Sequence, residues 1–462
     1  MHETLAGLIE VARGSGEVKL SAIVELVVEA GRGASLKEKG ELLQALIDAL
    51  AAQELGRERG APVRASQAGR ESTWRCSRCG TRQASDFRYS GSYRRTVVFA
   101  DGSARLRIPR IRCQCGGSVP PDFGGLLPKR KRHWHDLDLT VIEQYGEGLS
   151  YRALQRCLRR RTVFVGLSGL PRIVARCREV GLHAQPQAGR WWALEADGAY
   201  WRVGGRKQAI LHVTEVLPRA KVRTVGGHLV QYETGQVVGS LIASEESTGE
   251  WMLPFQELVR RGWVTEAGEV FLTSDGNGGL VGAALEVFGF PRLQRCTWHI
   301  GHRARDYAPP GHEQAVENAV HWVFNADDPG EATERFRALR QRWEALAPEA
   351  VASVARKLPD AVNHWAATDC PVRPRTAAIA ERHNLEYKRR LRATHGLQRE
   401  DNLAALVRLI DLKHNCHRQP GVDWLHHVAT DLLVHRVRLH HTTAPTPLPP
   451  RPTATAYTTT GT

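Results

Sequence analysis

The sequence predicts a multidomain α/β protein, and three observations carry that expectation. Its 462 residues exceed the size at which one hydrophobic core keeps growing. From Trp191 onward, short apolar runs alternate with helical patterns, as in an α/β core. Ahead of that region, two cysteine pairs bracket a hairpin-like segment too small to build a core of its own. A net charge of +15 points to a polyanionic partner, with nucleic acid first, because each phosphate neutralised releases condensed counterions. No apolar run reaches the roughly 20 residues of a membrane span, so no membrane association is expected. Met1-His2-Glu3-Thr4 lacks the flank of a secretory signal, and nine unevenly spread cysteines suit a reducing compartment, which together predict a cytoplasmic protein.

Residues 1–58 form a helical segment, with Leu5, Leu8, Ile9 and Val11, then Ile23, Val24, Leu26 and Val27, and then Leu42, Leu43, Leu46, Ile47 and Leu50 at helical spacing. Such helices serve either as a dimerisation element or as packing for the next domain. Gly56 to Ser72 reads as a linker. Residues 73–120 have the layout of a zinc ribbon. Cys76 and Cys79 precede strands at 95–99 and 104–108 around the turn Ala100-Asp-Gly-Ser103, and Cys113 and Cys115 follow, so four thiolates can hold one structural Zn²⁺.

Residues 136–182 offer three short helical patterns, the second capped by Ser150. Joined by Gly and Ser turns and rich in arginine, including Arg152, Arg156 and Arg159, they read as a helix-turn-helix that binds DNA. The bland alternative is a helical hairpin with a solvated basic face. Residues 190–415 form the α/β domain, interrupted by an all-helical insertion at 311–371. A C-terminal helix at 416–440 and a disordered Thr/Pro-rich tail at 442–462 complete the chain.

Asp197 and Asp275 each stand where an apolar strand gives way to glycine. Two such aspartates and a third carboxylate can bind Mg²⁺ or Mn²⁺ for work on phosphodiesters. Singly, each Asp-Gly pair is an ordinary turn dipeptide. Two glutamates compete for third place. Glu381 shares a helix face with Asn384 and Lys388, whereas Glu386 falls among Arg382, Arg389 and Arg390 as a surface ion-pair partner.

The set Ala196-Asp-Gly-Ala-Tyr200, Thr273-Ser-Asp-Gly276, Gln294-Arg-Cys-Thr-Trp-His299 and Ala378-Ile-Ala-Glu-Arg-His-Asn384 with Lys388-Arg-Arg390 resembles the Mutator-type (MULE) DDE transposases and their bacterial insertion-sequence relatives. The resemblance covers about 191–415 and implies an RNase H-like catalytic domain whose triad matches Asp197, Asp275 and Glu381. It implies a Mg²⁺-dependent enzyme that cleaves element ends and transfers strands into double-stranded target DNA, working as a homo-oligomer in the synaptic complex. The family's Cys-x-x-His signature matches Cys296 and His299, which either position DNA or a catalytic carboxylate or close a strand as a buried pair. Trp298 either stacks on an unpaired base or packs on a core strand. Lys388, Arg389, Arg390 and Arg392 are expected to follow the DNA backbone, with a solvated basic face as the alternative. Two rival functions are a non-catalytic DNA-binding protein derived from a transposase and a nuclease that stops at hydrolysis.

Overall fold

The computed structural model describes residues 34–55, 71–121, 123, 127, 132–184, 191–225, 228–264, 269–289, 291–394, 397–419 and 421–441. The helices expected from Leu5 to Val27, most of the linker and the tail from Thr442 lie outside them. The chain divides into two compact units, Met1–Asp136 with Ala429–Thr462, and Leu137–Val428.

In the first unit, helix α1 (Leu36–Leu55) opens with a reciprocal cap. Glu38 accepts from the Ser35 backbone at 2.6 Å, and Ser35 Oγ accepts from the Glu38 backbone at 3.3 Å. Its buried stripe of Leu42, Leu43, Leu46 and Ile47 matches the expected periodicity. The helix packs on the hairpin β1 (Phe87–Phe99) and β2 (Gly102–Cys113), and a Cβ on Gly40 would lie 3.2 Å from Ala104. Gln44 also donates to the Arg107 carbonyl at 3.0 Å and accepts from its N–H at 2.7 Å. The strands are more than twice as long as expected, and the turn is only Ala100-Asp101. In β1 the stretch from Arg88 to Arg95 has no buried residue and so lacks the apolar alternation that marks a strand in sequence. A short β3 (Ser118–Val119) completes this sheet.

The second unit contains most of α2 (His135–Gly146), followed by α3 (Tyr151–Arg160), α4 (Gly169–Val174) and a 3₁₀ turn, Ala175–Glu179. Ser150 Oγ accepts from Ala153 N, the cap read from the sequence. These helices belong to the same compact unit as the large sheet. Asn415 Nδ2 donates to the Leu182 carbonyl at 3.0 Å, and Arg178 pairs with Asp401.

That sheet has the order β6-β5-β4-β7-β8. Strands β4 (Trp191–Val203), β5 (Arg206–Val225) and β6 (His228–Ala243) form an antiparallel meander, and β7 (Glu269–Ser274) and β8 (Arg292–Arg295) add in parallel beside β4. Alternation along β4 sends Trp192, Leu194 and Ala196 into a core with Trp251 and Phe255 of α5 (Thr248–Arg260) and Leu280 and Ala283 of α6 (Gly278–Phe288). Its other face meets a later helix, since Ala193 packs with Ile379.

After β8 come α7 (Thr297–Asp306), α8 (Glu313–Phe324), α9 (Pro329–Trp343), α10 (Pro348–Ala361) and the single turn α11 (Asn363–Ala366). This region, expected at 311–371, has a core of its own that includes Ile300, Val320, Phe324, Trp343 and Val354. The chain ends in α12 (Ala378–Ala393), α13 (Glu400–Cys416) and α14 (Trp424–His441). The last helix starts eight residues later than the expected 416, beyond Gly421, whose φ of 78° breaks the helix. No helix among the described residues is long and apolar enough to cross a membrane.

Candidate active site and metal centres

The parallel register of β4 and β7 sets the centre of the site. Glu195 pairs with Thr273, and the same offset carries Asp197 to the level of Asp275 on the adjacent strand. Asp275 follows the last residue of β7, as expected. Asp197 does not end its strand, because β4 continues to Val203 in a hairpin with β5. What ends near Asp197 is the pairing with β7, and the Asp-Gly dipeptide misled because Gly198 serves a different purpose. A Cβ there would lie 2.4 Å from the carboxyl group of Glu246. Gly276 does occupy a turn, with φ of 78°, and a Cβ on it would collide with the Arg295 guanidinium. Asp275 Oδ1 accepts from Asn277 N at 2.8 Å, while Asn277 caps α6.

The third carboxylate arrives on α12. Asn384 Nδ2 donates to Asp197 Oδ2 at 2.6 Å, and His299 Nε2 lies 2.8 Å from Glu381 Oε1. The Asp197 and Glu381 carboxyls are within mutual hydrogen-bonding reach. Burial foremost, then the charge of Glu381, pushes Asp197 well above the usual carboxylate range. Glu381 is also penalised by burial, but His299 outweighs that penalty and holds it low. Burial disfavours the charged His299 ring, yet Cys296 and Glu381 together raise it to about 10. Two negative charges therefore coexist here only beside positive charge. An all-oxygen carboxylate set suits a hard divalent cation. Asn384 Oδ1, buried and without a hydrogen-bond partner among the described residues, adds a further oxygen close by.

The helix carrying Glu381 is fixed by residues on both sides of it. Glu195 Oε2, fully buried two residues before Asp197 on the same face of β4, accepts from the N–H groups of Ile379 and Ala380 at 2.8 and 2.9 Å. Cys296 Sγ accepts from Ala377 N at 3.2 Å. Behind α12, Asp411 accepts from His383 at 2.7 Å and from the Tyr387 hydroxyl, all three buried. Glu195 was legible as the period-two neighbour of Asp197 but went unread. Glu246 has no local signal beyond the glycine it presses against.

Cys296 and Trp298 do not lie on a core strand. Cys296 is the cap residue of α7, and His299 and Trp298 are on that helix. Trp298 is 41% exposed, stacked on His302 at 5.1 Å, so the core-packing alternative does not hold for it.

Among the basic residues, Arg152, Arg156 and Arg159 line the exposed face of α3, opposite buried Leu154 and Leu158. Arg392 is exposed and Lys388 half-buried. Arg389 pairs with Glu386 at 2.7 Å, the surface partnership expected for that glutamate. Arg390 departs from expectation. It is 7% exposed and donates to the carbonyls of Tyr145, at 2.7 Å, and Gly146, so it anchors α12 to the end of α2.

The sulfurs of Cys76, Cys79, Cys113 and Cys115 all lie within 4.8 Å of one another, with Cys76–Cys115 at 3.6 Å and Cys79–Cys113 at 3.7 Å. Zn–S bonds of about 2.3 Å in a tetrahedron set sulfurs roughly 3.8 Å apart, so the cluster is compatible with structural zinc. The short Cys-x-Cys pair is accommodated by Gly117, where a Cβ would lie 2.7 Å from Cys76 Sγ. The Cys79 backbone N–H, the largest influence, helps hold the Cys76 thiol down to about 6.

No curated protein matches the chain. The family model described as "Transposase, Mutator family" matches residues 22–418, far more than half of the sequence and inclusive of every carboxylate and cysteine described above. The chain belongs to the Mutator family of transposases.

Proposed function

We propose that the protein is the transposase of an insertion sequence, cleaving DNA at the element's ends and joining them to target DNA through Asp197, Asp275 and Glu381. The observation that carries this reading is the convergence of two strand-borne aspartates with a helix-borne glutamate separated from them by a helical module. The sheet order, a three-stranded meander continued by two parallel strands, supports an RNase H-like core at 190–415 with its insertion at 311–371. Asp197, Asp275 and Glu381 are the residues that would hold Mg²⁺ or Mn²⁺. When bound, the metal supplies activation of the attacking oxygen and stabilisation of the leaving oxygen. The chain's own part is orientation. Asn384 aims Asp197, His299 holds Glu381, and Glu195 fixes the start of α12.

Zinc on the four cysteines would brace the 73–120 module. The 136–182 helices would bring Arg152, Arg156 and Arg159 to double-stranded DNA, and Lys388, Arg389 and Arg392 would contribute nearer the acids. The test is strand cleavage by purified protein on DNA carrying the gene's own flanking ends, with Mg²⁺ or Mn²⁺, beside Asp275→Asn. The variant should lose cleavage and keep DNA binding. Loss of both alike would remove the catalytic assignment, and hydrolysis without joined products would make the protein a nuclease.

A further inference from the structure

Phe164 is 75% exposed, the most exposed large apolar side chain among the described residues. It is held out by a well-tied loop. Its neighbours Val163 and Val165 are buried, at 0% and 5%. Val163 N donates to the Leu158 carbonyl at 3.0 Å, Gln155 Nε2 donates to the Val165 carbonyl at 2.9 Å, and Thr162 turns the chain with φ of 60°. The period-two alternation of the loop therefore fixes the phenyl ring outward while both flanking side chains are locked inward.

The surroundings are cationic. Arg152, Arg156 and Arg159 run along one face of α3, and Arg160 and Arg161 follow at its end, all exposed and none with an acidic partner among the described residues. A second copy docked on this face would bring two such arginine sets together, which like-charge repulsion opposes. A polyanion with stackable rings satisfies both the charge and the phenyl group. We propose that Phe164 is a wedge that inserts between base pairs of duplex DNA while the α3 arginines hold the flanking phosphates. This rests on α3 facing DNA, as proposed above.

The experiment uses the full chain on closed circular plasmid carrying the gene's flanking ends, relaxed by a type IB topoisomerase with no divalent metal added. Insertion between base pairs unwinds the duplex, so the wild type should shift the linking number in proportion to bound protein. Phe164→Ala should lose that shift and weaken binding by roughly tenfold, the scale of one lost stacking contact, whereas Phe164→Trp should keep it. An undiminished shift with Phe164→Ala at equal occupancy, or no shift with the wild type, overturns the wedge. A change in self-association by light scattering with the linking shift unaltered would assign Phe164 to a contact between copies, also overturning it. The combined Arg152→Ala, Arg156→Ala, Arg159→Ala variant separates the two readings. If it binds plasmid as the wild type does, the placement of α3 on DNA fails. If it loses binding while Phe164→Ala keeps both affinity and the linking shift, only the wedge fails.

Discussion

Glu195 offers the most direct test of how the third carboxylate is brought to the sheet. Replacing it with alanine strips the acceptor from two buried backbone N–H groups, those of Ile379 and Ala380. Each unsatisfied buried donor costs about 1–3 kcal/mol, so roughly 2–6 kcal/mol of stability is at stake. A carboxylate at a helix start adds up to about 2 kcal/mol when partly buried, through the partial positive charge of the first turn. Glu195→Gln keeps an acceptor oxygen and loses only the charge, and should cost about 1–2 kcal/mol. Denaturant unfolding followed by tryptophan fluorescence reads both variants. Strand cleavage should fall with them, in the same order, because Glu381 lies in the turn that Glu195 holds. Two results would refute this reasoning: Glu195→Ala within about 0.5 kcal/mol of wild type, the range of an ordinary surface change, or Glu195→Gln as damaging as Glu195→Ala.

Three further outcomes are expected. Metal analysis of purified protein should find zinc at one ion per chain, reduced by Cys113→Ser together with the thermal stability of the first unit; a zinc content unchanged by that variant would exclude the four-cysteine site. Arg390→Ala should lower the melting temperature while leaving the salt dependence of DNA affinity unaltered, since its guanidinium is occupied by the Tyr145 and Gly146 carbonyls; a shallower salt slope would return it to the DNA-contacting set. Burial, reinforced by His383, depresses His212 and His414 each to about 3. The unfolded chain then takes up protons from about pH 6.5 that the folded protein refuses until about 3, so stability is whole above that range and falls as pH drops. The slope is at most about 1.4 kcal/mol per pH unit for each histidine, and pH-dependent denaturation that is flat between pH 6 and 4 would contradict it.

Much of the architecture was legible because it is written in local pattern. The cap at Ser150, the buried stripe of α1, the cysteine spacing and the change from alternation to helical period each depend on residues close in sequence. The three carboxylates could be named because glycine or a charged helix face marks each one. What escaped depends on residues far apart. Glu195 looked like one more polar residue on a strand, since its partners lie more than 180 positions away. Arg390 shares its sequence neighbourhood with exposed arginines, and only the carbonyls left open at the end of α2 draw it inward. Trp298 followed four strand residues with no glycine or proline to announce that Cys296 starts a helix. The first hairpin strand was cut short because periodicity detects burial, and Arg88 to Arg95 has no buried residue.

The separation of Glu381 from the two aspartates also has a consequence in time. Asp275 leaves the ribosome 106 residues before Glu381, and a helical module with its own core occupies most of the interval. At about 5–20 residues per second, a growing chain spends roughly five to twenty seconds with both aspartates made and the glutamate still missing. Even then α12 must be captured by Glu195 and Asp197, two contacts that reach back across nearly the whole domain. On the proposed function, a nascent chain that stops before Glu381 can display its basic helices while still lacking the third carboxylate.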